Sequence, residues 1–366
     1  MGLIKDIYTP SFYRSIADHF CAIYPTFDAK GFISGIFSHD FNDMEWKQRT
    51  RHSTLILHKF LPSSFPEAAS LIMKVTQQLQ EIGHPGGLEY VIFPDYIETY
   101  GIDNFDIAIR AFEVVTKFIT CEFAVRSFLI KYNGRMIAEM NRWSQDPHPQ
   151  VRRLASEGAR PRLPWAMAIP SLKKDPSPIL PILENLKTDP SDSVRRSVAN
   201  NLNDIAKDHP HLVLNIARKW KGISKLTDAI IKHGSRTLLK QGHAEILTYY
   251  GLESSNFKVS NLIVHTPIVK IGDEVSFSFH VKNSSETAKY LRLEYGLYYQ
   301  KANGQVSRKV FKISERIYEG SENCIIARRQ SFKLITTRKF YVGRHKISIV
   351  INGQETEEID FELIAR

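Results

Sequence analysis

Asp146-Pro147-His148-Pro149-Gln150-Val151-Arg152-Arg153 and Asp189-Pro190-Ser191-Asp192-Ser193-Val194-Arg195-Arg196 share the pattern D-P-x-x-x-V-R-R at an offset of 43 residues. In each copy Asp-Pro marks a turn leading into a helix, because proline fixes φ and cannot continue a preceding helix. An echo of this period is the sign of a helical repeat array, in which each helix pair buries its apolar face only against its neighbours. The paired arginines project from one layer of the stack. Arg152, Arg153, Arg195 and Arg196 are therefore expected to track a phosphate backbone along a concave surface. The plainer alternative leaves them on a solvated helix face.

Outward from this pair the helical pattern continues. Apolar residues recur at spacings of three and four through 65–83, 105–132, 150–158, 179–186 and 193–207, with Pro or Gly between segments. The period falls in the range of HEAT and armadillo arrays. From about Asn256 the character changes to short alternating runs at 274–281, 291–299 and 345–351. Turn residues separate these runs at Asn283-Ser284-Ser285, Asn303-Gly304 and Asn352-Gly353. The expected fold class is thus multidomain, α then β: an α-helical HEAT-like repeat solenoid over 1–253 and a strand-built domain over 254–366. With 366 residues, each part can bury a core of its own.

A formal net charge of +10 favours a polyanionic partner, although a basic surface also serves solubility or binds acidic lipid. The part beyond Asn256 carries 18 Lys and Arg against 12 Asp and Glu, and so holds most of the excess. Its basic pairs, Arg328-Arg329 and Arg338-Lys339 among them, suit either a grip on a duplex or the protection of strand edges. Three cysteines, Cys21, Cys121 and Cys324, are widely spaced without a C-x-x-C pair, which argues against a disulfide framework and fits a reducing cytoplasm. There is no run of about 18 apolar residues to span a bilayer. Metal-site spacings and a Gly-rich phosphate loop are also lacking, so no metal and no cofactor is expected.

Acids interrupt the apolar faces. If 112–132 is one helix, Glu122 falls among Val115, Phe118, Ile119 and Leu129, with Arg126 one turn later. Acids are rarely buried without a partner, so Glu122 either pairs with Arg126 or lines a cleft that needs a carboxylate. In the first V-R-R helix Val151, Leu154, Ala155 and Gly158 pack, with Glu157 beside them. In the second, Val194, Val198, Leu202 and Ile205 pack, leaving Ser197, Asn200, Asn201 and Asp204 as a polar flank. Arg160-Pro161-Arg162-Leu163-Pro164-Trp165 follows Glu157 as a rigid basic segment. Arg160 and Arg162 could meet phosphates there, and Trp165 could border a base or simply pack in the core.

The stretches E-F-A-V-R (122–126), V-R-R-L-A-S-E-G-A-R-P-R-L-P-W (151–165) and V-R-R-S-V-A-N-N-L-N-D-I-A-K-D-H-P (194–210) resemble the AlkC family of DNA alkylation-repair glycosylases. The resemblance extends over nearly the whole chain. It implies HEAT-like repeats followed by an immunoglobulin-like β-sandwich. It also implies excision of cationic methylated bases, 3-methyladenine first, with 3-methylcytosine and 1-methyladenine as further candidates. By resemblance Glu122, Glu157 and Asp204 stand at the family's active-site acids and Trp165 at its active-site tryptophan. That chemistry needs carboxylates, because cleaving an N-glycosidic bond builds positive charge on the sugar. The expected partner is double-stranded DNA containing alkylated bases, met by a monomeric, nucleoid-associated protein with no membrane attachment. The competing reading is a non-catalytic HEAT-repeat scaffold that binds DNA or protein, with Glu122–Arg126 as a structural ion pair.

Overall fold

The computed structural model describes residues 3–37, 40–252, 256–334 and 339–365. They form two compact units, Met1–Gly234 and Ser235–Arg366. The expected boundary at 253/254 lies outside the described residues, and the observed division comes before the last two helices, Arg236–Gln241 and Ala244–Tyr249. The reason is local. Gly242 joins these helices in the left-handed region, at φ 72°, against the Asn352-Gly353 turn. A Cβ on Gly242 would meet the Gly353 oxygen at 2.4 Å. Only glycine allows that approach, which fixes both helices to the strand-built unit.

The first unit runs through successive α-helices from Pro10–Ile23 to Lys225–Gly234. Its later part is the repeat array, in which helices Pro149–Gly158, Asp192–Ile205 and Lys225–Gly234 pack side by side as one layer. The predicted packing residues Val151, Leu154, Ala155 and Gly158, and Val194, Val198, Leu202 and Ile205, are all buried. At Gly158 a Cβ would lie 2.6 Å from Val125 Cγ2, so the layer closes tightly there.

The D-P-x-x-x-V-R-R pattern has a structural explanation that differs from the expected phosphate track. Arg152 Nη1 donates to the Asp146 and Pro147 carbonyls, each at 2.9 Å, and Arg195 Nη1 to those of Asp189 and Pro190, each at 2.8 Å. The first arginine of each copy therefore closes its own Asp-Pro turn. Arg152 also reaches Asp189 of the next copy, Nε to Oδ2 at 2.5 Å and Nη2 to Oδ1 at 3.1 Å. The same Asp189 carboxylate accepts from Ser191 N and caps its turn. With four hydrogen bonds made inside the fold, Arg152 is a staple between repeats. Arg152→Ala is expected to destabilise the first unit by about 2–3 kcal/mol, since it strands a buried carboxylate. The check is a thermal unfolding midpoint that falls, whereas Arg196→Ala leaves it within a degree or two.

The continuous helix expected over 112–132 is broken. One helix ends at Val115 and the next starts at Val125, with turns between. Glu122 thus sits on a connection, not on a helix face.

In the second unit strands β1 (Phe257–Val264), β3 (Glu274–Asn283) and β6 (Asn323–Ser331) form one sheet. β2 (Ile268–Lys270), β8 (Gln354–Ile364), β7 (Gly343–Ile351), β4 (Lys289–Gln300) and β5 (Val306–Tyr318) form the other, in that order. Pairing is antiparallel except between β2 and β8. Alternate residues of β3, Val275, Phe277, Phe279 and Val281, meet Leu291, Leu293, Ile347 and Ile349 in a common core, as in a β-sandwich. Asn352-Gly353 makes the two-residue β7–β8 turn, with φ 45° and 78°.

Candidate active site

Helix Pro149–Gly158 carries Glu157, and helix Asp192–Ile205 carries Asp204, each one position before its end. Arg160 lies between them. Its Nη1 donates to Glu157 Oε1 at 2.6 Å and its Nε to Asp204 Oδ2 at 2.8 Å, while Lys207 Nζ donates to Asp204 Oδ1 at 3.0 Å. All three of Glu157, Arg160 and Asp204 are buried. The structure thus brings together two of the three acids expected at the site. Arg160, expected to face phosphate, is the bridge that holds them.

The segment carrying Arg160 is anchored by Arg126, whose side chain is fully buried. It makes no ion pair with Glu122. Its Nε donates to Met167 O at 2.7 Å, and its Nη1 to Gly158 O at 3.0 Å and Arg160 O at 2.8 Å. Burial, and next the charge of Arg160, pull Arg126 down to about 10, so it is still charged at neutral pH. Glu122 pairs instead with Arg153, Nη1 to Oε2 at 2.7 Å, and accepts from Thr120 Oγ1 at 2.8 Å. It shares the charged neighbourhood of Arg126 with Glu157 and Asp204. Arg162 pairs with Asp208 and keeps about a quarter of its side chain in solvent. Arg196 is largely exposed, with Asp192 beside it at 2.9 Å.

Trp165 is neither core nor helix. It is 64% exposed, with its backbone at φ 65°, a conformation an indole-bearing residue adopts only when its surroundings enforce it. Its carbonyl accepts from Lys47 Nζ, and its ring lies 6.1 Å from that of Trp46. A cavity of about 290 Å³ opens here, lined by Trp46, Phe123 and Trp165 and by Arg51, Asp95 and Glu98. None of the three expected acids lines it. Thr120, Phe123 and Ala124 do, from the segment that bears Glu122.

Over its full length the chain superposes on a solved structure of Pseudomonas fluorescens alkylpurine DNA glycosylase AlkC bound to DNA containing an abasic site analog. The TM-score is 0.92 and the identity 34%, with 100% of each chain covered. The uncharacterized protein YhaZ of Bacillus subtilis (strain 168) is 41% identical over 364 residues, 99% of this chain and 100% of that one. The chain belongs to the AlkC/YhaZ family. As in that family, the first unit is helical and carries HEAT repeats, the HEAT pattern itself matching 179–209, which contains the second Asp-Pro copy. The strand-built unit is immunoglobulin-like and matches the C-terminal Ig-like domain of YhaZ over 258–365. Within this AlkC/YhaZ sandwich Arg328 and Arg329 lie exposed on β6, the edge strand of the three-stranded sheet, and Lys339 is exposed after it. Arg338 lies outside the described residues. No described helix is long and apolar enough to cross a membrane. Among the described residues no three of His, Cys, Asp and Glu cluster to hold a metal ion.

The cavity residues Trp46, Lys47, Arg51, Asp95 and Glu98 were not singled out from sequence. One signal was present. Helix Trp46–His58 buries Arg49, Thr50, Ser53 and Thr54, so its inward stripe is polar where a packing helix would be apolar.

Proposed function

We propose that this chain is a monofunctional, metal-independent DNA glycosylase that hydrolyses the N-glycosidic bond of cationic alkylated bases in duplex DNA. 3-Methyladenine is the main substrate, with 3-methylcytosine and 1-methyladenine as further ones. The observation that carries the reading is the buried Glu157–Arg160–Asp204 bridge, which fixes two carboxylates on a guanidinium five residues before the exposed Trp165. The full-length likeness to an alkylpurine glycosylase bound to DNA supports it. Burying two acids beside one guanidinium costs their hydration, a cost that a site needing oriented carboxylates recovers in the reaction.

The chemistry suits these groups. A base alkylated on a ring nitrogen carries positive charge and leaves neutral, taking the bond electrons, so no general acid is required. Positive charge moves to the deoxyribose as the bond breaks. Carboxylates that are already oriented stabilise it without reorganising. Water then adds to the sugar carbon and gives its proton to a carboxylate. Glu157 or Asp204 positions this water, Glu122 adds to the negative field, and Trp165 packs against the damaged nucleotide. Arg160, with its five donors in a rigid fork, is the positioning residue for both acids. The partly exposed Arg153, Arg162 and Arg196, with Arg328, Arg329 and Lys339 of the sandwich, are the candidate phosphate contacts. The protein acts as a monomer on cytoplasmic, nucleoid DNA.

Incubation with duplex DNA methylated at adenine N3, followed by chromatography of the freed bases, tests this. The expected result is 3-methyladenine release and an alkali-labile abasic site, unaffected by a chelator. No release at excess protein overturns it.

A further inference from the structure

We propose that the cavity beneath Trp165 is a binding site for the detached base, a methylated purine held apart from the acids that act on the sugar. This rests on the glycosylase reading for its ligand, and on geometry for everything else.

At about 290 Å³ the cavity sits at the low end of small-molecule sites, roughly 300 Å³, and suits one heterocycle better than a nucleotide. Its walls are aromatic. Trp46 lies 6.1 Å from Trp165 at 55° and 6.4 Å from Phe123 at 70°, so the three rings touch one another and a flat π-system resting against them meets ring faces and edges. Its polar side is mixed, with Lys47 and Arg51 balancing Asp95 and Glu98. Asp95 and Glu98 are one turn apart on helix Ile92–Gly101. Arg51 Nη2 holds Asp95 Oδ1 at 3.0 Å, and Ser127 Oγ donates to Glu98 Oε1. With its charges balanced, the lining suits a neutral ligand that both donates and accepts hydrogen bonds.

Two groups in this wall are left over. Asp95 Oδ2, an acceptor, and Trp46 Nε1, a donor, are both buried without a hydrogen-bond partner. The nearby Thr54 hydroxyl donates to Ile92 O at a long 3.4 Å and lies close enough to the Asp95 carboxyl to act on it as a weak donor. Buried polar groups are paired in all but a few places, so an unpaired acceptor and donor just behind the wall of one cavity are groups that a ligand with the complementary pair can satisfy after a small movement of that wall. The edge of an adenine ring, with an amino group next to a ring nitrogen, has that pair. Burial also pushes both carboxyls above their ordinary range, with Thr54 and Arg51 opposing it at Asp95. The detached base is neutral, so it brings no charge of its own into the cavity, and its methyl group buries more apolar surface against the aromatic walls than unmodified adenine does.

Location completes the case. The cavity shares Thr120, Phe123 and Ala124 with the segment of Glu122, and its rim residue Trp165 is five positions from Arg160. Sugar chemistry at the acids and base capture under Trp165 are adjacent but separate. Lys47, bound to the Trp165 carbonyl, keeps the rim residue in its strained conformation.

The test is titration of the full-length protein with free 3-methyladenine, followed by tryptophan fluorescence and by inhibition of base release. The expected result is saturable quenching, weaker binding of unmodified adenine, and about tenfold weaker binding of 3-methyladenine to both Asp95→Asn and Glu98→Gln. If the parent protein excises 3-methyladenine but neither binds it free nor is inhibited by it, the capture site is wrong and the glycosylase reading stands. Binding that both variants leave unchanged overturns the site as well. If free base binds as described but no base is released from DNA, the cavity assignment holds and the glycosylase reading falls.

Discussion

Glu157→Gln protein is expected to release 3-methyladenine about 100- to 1000-fold more slowly than the parent under single-turnover conditions, while binding the same duplex with little change. The size follows from what a preorganised electrostatic group contributes when charge develops in the transition state. Glu157 is buried, and one of its oxygens is fixed by Arg160 at 2.6 Å. Glutamine keeps the shape and can still present a carbonyl oxygen to Arg160, so the fold is retained and only the negative charge is lost. Asp204→Asn should behave alike, with the difference that Asp204 also holds Lys207 at 3.0 Å. Because both acids share one guanidinium, the double variant should lose less than the product of the single effects. Unchanged single-turnover release in Glu157→Gln would remove this acid from the mechanism without touching the activity itself.

The HEAT-type architecture was readable because the Asp-Pro turn and the V-R-R that follows are local. Each copy closes on itself within six residues, as the bonds of Arg152 and Arg195 to their own turns show. The strands were readable for the same reason, through alternation in 274–281 and the Asn352-Gly353 turn. What was not legible is long-range. Nothing in Val151-Arg152-Arg153 says that Arg152 reaches an aspartate 37 positions on, or that Arg153 meets Glu122 31 positions back. The break between Val115 and Val125 was hidden because the intervening residues contain no Gly or Pro, and their apolar spacing imitates a continuing helix. Glu122 was therefore singled out on a helical wheel that does not exist there, and its carboxylate pairs with Arg153, outside the Glu157–Arg160–Asp204 bridge. Asp204 and Glu157, by contrast, sit on helices whose packing residues were read correctly, but the repeat offset carries Glu157 onto Asn200, so what joins the two acids is Arg160 and not the repeat.

Arg126→Met is expected to lower stability more than any substitution among the acids, by about 3 kcal/mol, and to lower the unfolding midpoint of the first unit by roughly 5–10 °C. Two effects oppose each other. Removing a buried guanidinium relieves its desolvation, which the lowered pKa of about 10 reflects. Against this, the carbonyls of Gly158, Arg160 and Met167 lose their donors together, and methionine offers none. A buried ion pair can be exchanged for apolar side chains at little loss, but main-chain carbonyls cannot be removed by mutation, so the second effect wins. The consequence extends to function. The three carbonyls bracket the segment that carries both Arg160 and Trp165, so its release should uncouple Glu157 from Asp204 and free the strained Trp165 backbone. Well below the new midpoint, the variant should therefore still bind duplex DNA but excise slowly, with Trp165 emission shifted toward that of a solvated indole. Arg126→Lys, which keeps the charge and can satisfy one or two of the carbonyls, should fall between parent and Arg126→Met in both midpoint and rate. An unfolding midpoint that does not move in Arg126→Met would mean that the segment is held by its own turns, Arg160 N to Glu157 O and Ile169 N to Pro161 O, and not by the arginine.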